Sequence, residues 1–164
     1  MAGDCGKCTM CCKLMGVVEL DKPKHTQCNH CQIGVGCKIY NDRPISCREF
    51  KCIWLQTQAT GKSLPLQMRP DKSKVVLHTT PDEKALVAKV DPNYPDAWKW
   101  KQMGYMLGLL SEKTMVLVDN SKEYWLLRNG KADQVEMSAP DKDGVEHFEG
   151  FSGYVKIKET MVKE

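Results

Sequence analysis

Nine cysteines crowd into the 48 residues from Cys5 to Cys52, and none follows before the chain stops at Glu164. Cys5, Cys8, Cys11 and Cys12 sit in the run CGKCTMCC; Cys28, Cys31, Cys37, Cys47 and Cys52 sit in CNHCQIGVGCKIYNDRPISCREFKC. Three steps are C-x2-C: Cys5 to Cys8, Cys8 to Cys11 and Cys28 to Cys31. Such steps recur at metal sites because a tight turn can aim two sulfurs at one ion while backbone N–H groups support the thiolate charge. Soft thiolate sulfur selects Zn²⁺, iron–sulfur clusters or Cu(I) over Ca²⁺ and Mg²⁺. All nine cysteines are therefore candidate metal ligands.

Eight thiolates divide into two tetrahedral zinc sites, and nine can serve three metals if some sulfurs bridge, so two or three Zn²⁺ ions are expected. Adjacent Cys11 and Cys12 are expected to face different metals, because neighbouring side chains diverge. Iron is the alternative. Cys5, Cys8 and Cys11 match the first three positions of a bacterial ferredoxin run, but the fourth cysteine and its proline are missing because Cys12 follows at once. His25 and His30 could each replace a sulfur, yet with nine cysteines neither is needed. His78 and His147 read as structural or exposed.

The chain is 164 residues long, with ordinary apolar and charged fractions for one globular domain. No window has the roughly 20 apolar residues of a membrane span, and the start MAGDCGKC lacks the features of a signal peptide. A cytoplasmic location is expected, and a reducing compartment favours metal ligation over disulfides. The formal charge is +3, all of it before residue 61: eight Lys and Arg stand against five Asp and Glu there, with sixteen of each beyond. Nine thiolates holding three Zn²⁺ contribute about −3, so the basic excess offsets the site itself and nucleic acid is an unlikely partner. A protein partner, if there is one, has no sequence signature.

The run CGKCTMCC with GCKIYNDRPISCREFKC resembles the CxxCxxCC family, also called YkgJ-like, a zinc- or iron-chelating domain family largely of unknown function. The resemblance covers about the first 55 residues. It implies that Cys5, Cys8, Cys11, Cys12, Cys28, Cys37, Cys47 and Cys52 chelate, whereas Cys31 stands where many members have a non-ligand. Some longer relatives that methylate flagellin lysines carry a similar cluster, but nothing after Trp54 reads as a methyltransferase. Whether this chain is an enzyme is left open.

The elements that must position these residues follow from patterning. Leu14, Met15, Val17, Val18 and Leu20 suggest a strand leaving the site, and DKPKHTQ from Asp21 to Gln27 an exposed loop. Gly34 and Gly36 before Cys37 suit a tight ligand loop. Asn41 or Asp42 can cap a helix from Ile45 to Gln56, on which Cys47 and Cys52 would lie about 140° apart and could not share a metal unless the helix ends near Phe50. Arg43 and Arg48 either offset thiolate charge or pair with Asp42 and Glu49, and Tyr40, Phe50 and Trp54 read as a small core over the metal.

Beyond them, Val75–Thr80 and Ala85–Val90 predict a hairpin through Pro81-Asp82-Glu83-Lys84. A helix is predicted from Pro95 to Leu110 with Trp100, Met103, Leu107 and Leu110 on one face. Thr114–Val118 and Tyr124–Leu127 predict a second hairpin, and Asn129-Gly130 a turn into a strand near Val135. Trp98, Trp100 and Trp125 are assigned to the core, and Tyr154, Val155 and Ile157 to an edge strand or disorder. The expected fold is α+β: a metal-organised cysteine-rich lobe, residues 1–60, packed against a ββαββ layer with a polar tail, residues 61–164, or one continuous domain.

Overall fold

A computed structural model describes residues 5–80 and 83–137, and the backbone of strands 147–151, 153–156 and 161–162. Its main feature is an eight-stranded sheet. The hairpin of β3 (Val75–Thr79) and β4 (Ala85–Val90) forms as predicted, pairing Val75 with Val90 and Thr79 with Leu86. Pro81 and Asp82 of its turn lie outside the described residues. β5 (Met115–Asp119) pairs parallel with β4, as a strand following a helical crossover can, and antiparallel with β6 (Tyr124–Arg128). Asn129, at φ +52°, and Gly130, at φ +74°, turn the chain into β7 (Lys131–Met137).

β8 (His147–Phe151), β9 (Gly153–Lys156) and β10 (Met161–Val162) continue the sheet beyond β7. Tyr154 and Val155 therefore sit in a strand, but one flanked by β8 and β10 rather than at the edge. Ile157 lies outside the described residues.

Strand alternation gives the sheet two apolar faces. Leu77, Leu86, Ala88, Val90, Val116, Val118 and Leu127 form one core with Met103 and Leu107 of the helix Lys101–Ser111. Val87, Leu117, Leu126 and Val135 line the opposite face. The crossover helix begins later than predicted. A 3-10 turn covers Ala97–Lys99, and Trp100, extended at ψ 146°, holds the N-cap position. Off the helical track, Trp100 is 45% exposed, whereas Trp98 is buried against Trp125 with ring centroids 5.6 Å apart.

The first sixty residues are short pieces. α1 (Met10–Leu14) replaces the predicted strand: Leu14 is its wholly buried residue, Met15 turns extended and Val18 is solvent-exposed. A small hairpin, β1 (Cys31–Gln32) with β2 (Gly36–Cys37), follows. The helix predicted over Ile45–Gln56 is two, α2 (Ile45–Glu49) and α3 (Ile53–Gln58), because Phe50 takes ψ 127° and Cys52 takes ψ 160°. Pro44, not Asn41 or Asp42, stands at the N-cap of α2. Proline fixes φ and suits a helix start better than its interior. α4 (Pro70–Ser73) then leads into β3, which makes the crossover helix α5 (Lys101–Ser111).

These pieces pack directly on the sheet. Met10, Leu14, Cys52 and Leu55 share a buried cluster with Val76 of β3. Ile53 and Trp54 reach the main core. Among the described residues no helix is long and apolar enough to cross a membrane.

Candidate metal centre

Two of the three C-x2-C steps form closed turns. Cys8 N–H donates to the Cys5 carbonyl at 3.1 Å, and Cys31 N–H donates to the Cys28 carbonyl at 3.1 Å. The first turn requires a left-handed residue, which Gly6 supplies at φ +58°. The second leads into the β1–β2 hairpin, where Cys31 lies directly across from Cys37 and Gly34 takes the turn at φ +73°.

α1 brings the third step to this hairpin. Cys28 N–H donates to the Cys12 carbonyl at 2.9 Å, and Gly34 N–H donates to Thr9 Oγ1 at 3.3 Å. Cys47 rides on α2, whose first turn is held by Glu19: Ser46 donates to its carboxylate from both N–H, at 3.1 Å, and Oγ, at 2.7 Å.

The sulfurs gather in two groups. Cys12 hydrogen-bonds with the side chains of Cys11 and Cys31, and the contact with Cys11, followed by burial, pushes its thiol far up. Burial and then the neighbouring Cys12 push Cys31 up to about 11. Cys47 is raised by burial and by Cys12, Cys28 and Cys37 around it. Cys11, Cys12, Cys28, Cys31, Cys37 and Cys47 thus form a six-thiol group. Adjacent Cys11 and Cys12 converge instead of diverging, and Cys31 stands among the other sulfurs.

Cys5 and Cys8 pack against the buried cluster that holds Cys52, Leu14 and Leu55. Burial raises Cys8, opposed by the N–H groups of Met10 and Asp71. Burial also raises Cys52, opposed by the N–H groups of Leu55 and Trp54. Cys52 stands at the N-cap of α3 without forming a formal capping bond, yet those helix-start N–H groups still favour its thiolate. The break between α2 and α3 is what sends Cys47 to one group and Cys52 to the other.

Three charged residues that the sequence reading passed over serve these groups. Lys22, in the loop expected to be exposed, is buried, and its ammonium donates to the carbonyls of Met15 and Pro23. Burial lowers its pKa, while Cys28, Cys12, Cys11 and Cys47 pull the other way. The thiols of four cysteines thus act electrostatically on one buried cation. Beside Cys5 and Cys8, Arg69 pairs bidentately with Asp71, Nε to Oδ1 at 2.5 Å and Nη2 to Oδ2 at 2.7 Å. Its remaining Nη1 lies 3.5 Å from where a Cβ on Gly6 would sit. The basic excess before residue 61 was the only hint of Lys22, and nothing in the spacing pointed to Arg69.

The rest of the DKPKHTQ loop docks on the sheet. Asp119 is buried and meets Lys24 Nζ at 3.2 Å, Lys89 Nζ at 3.1 Å and His25 Nε2 at 3.7 Å. Burial pushes its carboxyl up, but Lys89, Lys24 and His25 together hold it below the usual range. His25 is thus turned to Asp119. The Arg43 guanidinium stacks 3.8 Å from the Tyr40 ring and its Nε donates to the Tyr40 carbonyl at 3.0 Å. Tyr40 is exposed, so of the three aromatics only Phe50 and Trp54 pack against the buried cluster at Cys52.

No disulfide joins the nine cysteines. Among the described residues no three His, Cys, Asp or Glu side chains converge as ligands on a common point, so the thiols are gathered but not closed. The donor set itself fits a soft cation: sulfurs in two compact groups, with N–H groups and cations placed to support thiolate charge. No family model, curated protein or solved structure matches the chain.

Proposed function

We propose that this protein is a cytoplasmic metal-chelating protein that holds more than one Zn²⁺ through cysteine thiolates, and that the metals organise the first sixty residues. The observation that carries this reading is that backbone turns, the β1–β2 register and the buried cluster at Cys52 draw cysteines distant in sequence towards one another: Cys28 bonds to Cys12, Cys31 faces Cys37, and Cys5 and Cys8 pack against the cluster of Cys52. Six thiolates satisfy two tetrahedral zinc ions when two sulfurs bridge, which suits Cys11, Cys12, Cys28, Cys31, Cys37 and Cys47. Cys5, Cys8 and Cys52 would hold a third ion beside Arg69. Three Zn²⁺ and nine thiolates carry about −3, which the formal +3 of the chain cancels.

The structural role follows from what the lobe lacks. Its α-helices have five or six residues, too short to stand alone in water. Ligation supplies folding free energy where a small core cannot. The resemblance to the CxxCxxCC family supports the same chemistry.

An iron–sulfur redox protein, or a cluster-bearing part of a protein-modifying enzyme, is the competing reading. Cys12 follows Cys11 at once and the fourth cysteine with its proline is missing, which weighs against a ferredoxin-type run. Cobalt substitution tests the thiolate chelation on which the proposal rests, and the metal found in the purified protein separates zinc from iron. Metal-free, reduced protein titrated with Co²⁺ should develop thiolate-to-cobalt charge-transfer absorption and intense tetrahedral d–d bands, reversed by Zn²⁺. Weak octahedral bands, or no spectrum, would overturn thiolate chelation.

A further inference from the structure

α5 carries an outer face that the fold itself does not use. Tyr105 is 71% exposed and Leu109 46% exposed, while Met103 and Leu107 on the inner side are buried. Between the two exposed residues stands Gly108, a residue type poorly suited to a helix interior. The neighbouring Gly104 has an internal reason: a Cβ there would meet the Lys99 carbonyl at 3.2 Å. Gly108 has none, since a Cβ there would meet nothing within 4 Å. No described residue of this chain fills the notch at Gly108.

Lys101, Tyr105, Gly108 and Glu112 follow one another at steps of four, three and four residues and lie within an arc of about 60° at 100° per residue. That spacing is the seam of two helices packed lengthwise. We propose that this face of α5 is a two-fold interface between two copies of this chain, with the helices antiparallel and Tyr105 of each seated over Gly108 of the other.

A two-fold axis level with the Met106–Leu107 peptide pairs Tyr105 with the partner's Gly108 and Lys101 with the partner's Glu112, each twice. The face is thus self-complementary in shape and charge, as an isologous contact must be. It also brings each Glu112 to the N-terminal end of the facing helix, where the dipole favours an anion. One eleven-residue helix per subunit is a small contact, so the dimer belongs to the weak, concentration-dependent class.

Sedimentation equilibrium in reducing buffer, from micromolar towards millimolar protein, tests this. The wild type should pass from monomer to dimer, and Gly108→Leu, whose side chain has open space within the subunit, should stay monomeric with an unchanged circular dichroism spectrum. Lys101→Glu and Glu112→Lys should each weaken association about tenfold or more, and the double reversal should restore it to within about threefold of wild type. A wild type monomeric throughout, an undiminished Gly108→Leu dimer, or a double variant no better than the singles would overturn the proposal.

Discussion

Lys22 is the residue on which the chemistry of the site turns most. A buried ammonium on which Cys11, Cys12, Cys28 and Cys47 act electrostatically would offset thiolate charge in the proposed metal-bound state without occupying a ligand position. Lys22→Met keeps the side-chain length and apolar stem but removes the charge. It should weaken zinc binding by the six-thiol group by about tenfold or more while leaving the number of zinc ions unchanged, as competition with a chromophoric chelator would report. Unchanged affinity would show that the ammonium does not act on the thiolates. His78 makes a second residue-level prediction. Its Nδ1 lies 2.9 Å from the Thr79 carbonyl, while Nε2 is buried with no hydrogen-bond partner among the described residues. Burial holds its pKa down to about 4, from an ordinary value near 6.5. The unfolded chain therefore takes up the proton first. Stability is fully present above about pH 6.5 and is lost as pH falls towards 4, by at most about 3 kcal/mol. Urea midpoints of the wild type should fall over this window more steeply than those of His78→Gln; parallel slopes would contradict the assignment.

At the scale of elements, α1 and the Lys22–His25 loop join the cysteine lobe to the sheet. Leu14, with none of its surface exposed, fills the space between α3 and Val76, and Leu14→Ala should cost about 3 kcal/mol in chemical denaturation. Asp119 holds Lys24 and Lys89 together below the loop, and Asp119→Ala should cost a similar amount because it strips two partly buried ammonium groups of a shared counter-charge. These are also the elements the sequence concealed. The two hairpins announced themselves through alternating Val, Leu and Ala with turn residues between, and α5 through Met103 and Leu107. Trp100 fitted the same periodicity, but the helix starts one residue later, and an extended N-cap points its side chain elsewhere. α1 has five residues, too few for a period to show, and its identity is set by Leu14 finding Val76 across the fold. The break at Cys52 was legible only as a geometric misfit between Cys47 and Cys52. Lys22 was hinted at only by the basic excess and Arg69 by nothing, because their roles depend on contacts distant in sequence or on burial that polar composition disguises.

At the scale of the whole molecule, a sheet with its own core carries a lobe of short helices and turns. The two should respond differently to metal removal. Chelation of the wild type should remove helical circular dichroism from the lobe and open its thiols to alkylation, while the β3–β7 sheet, with cores on both faces, keeps its amide-exchange protection. The central claim, that nine gathered thiols bind zinc, is tested most directly by metal content. Protein made without a metal-affinity tag, purified anaerobically and measured by elemental analysis alongside its visible spectrum, should be colourless and carry two or three zinc ions per chain. A brown protein carrying iron and inorganic sulfide, or a folded lobe carrying no metal, would contradict it.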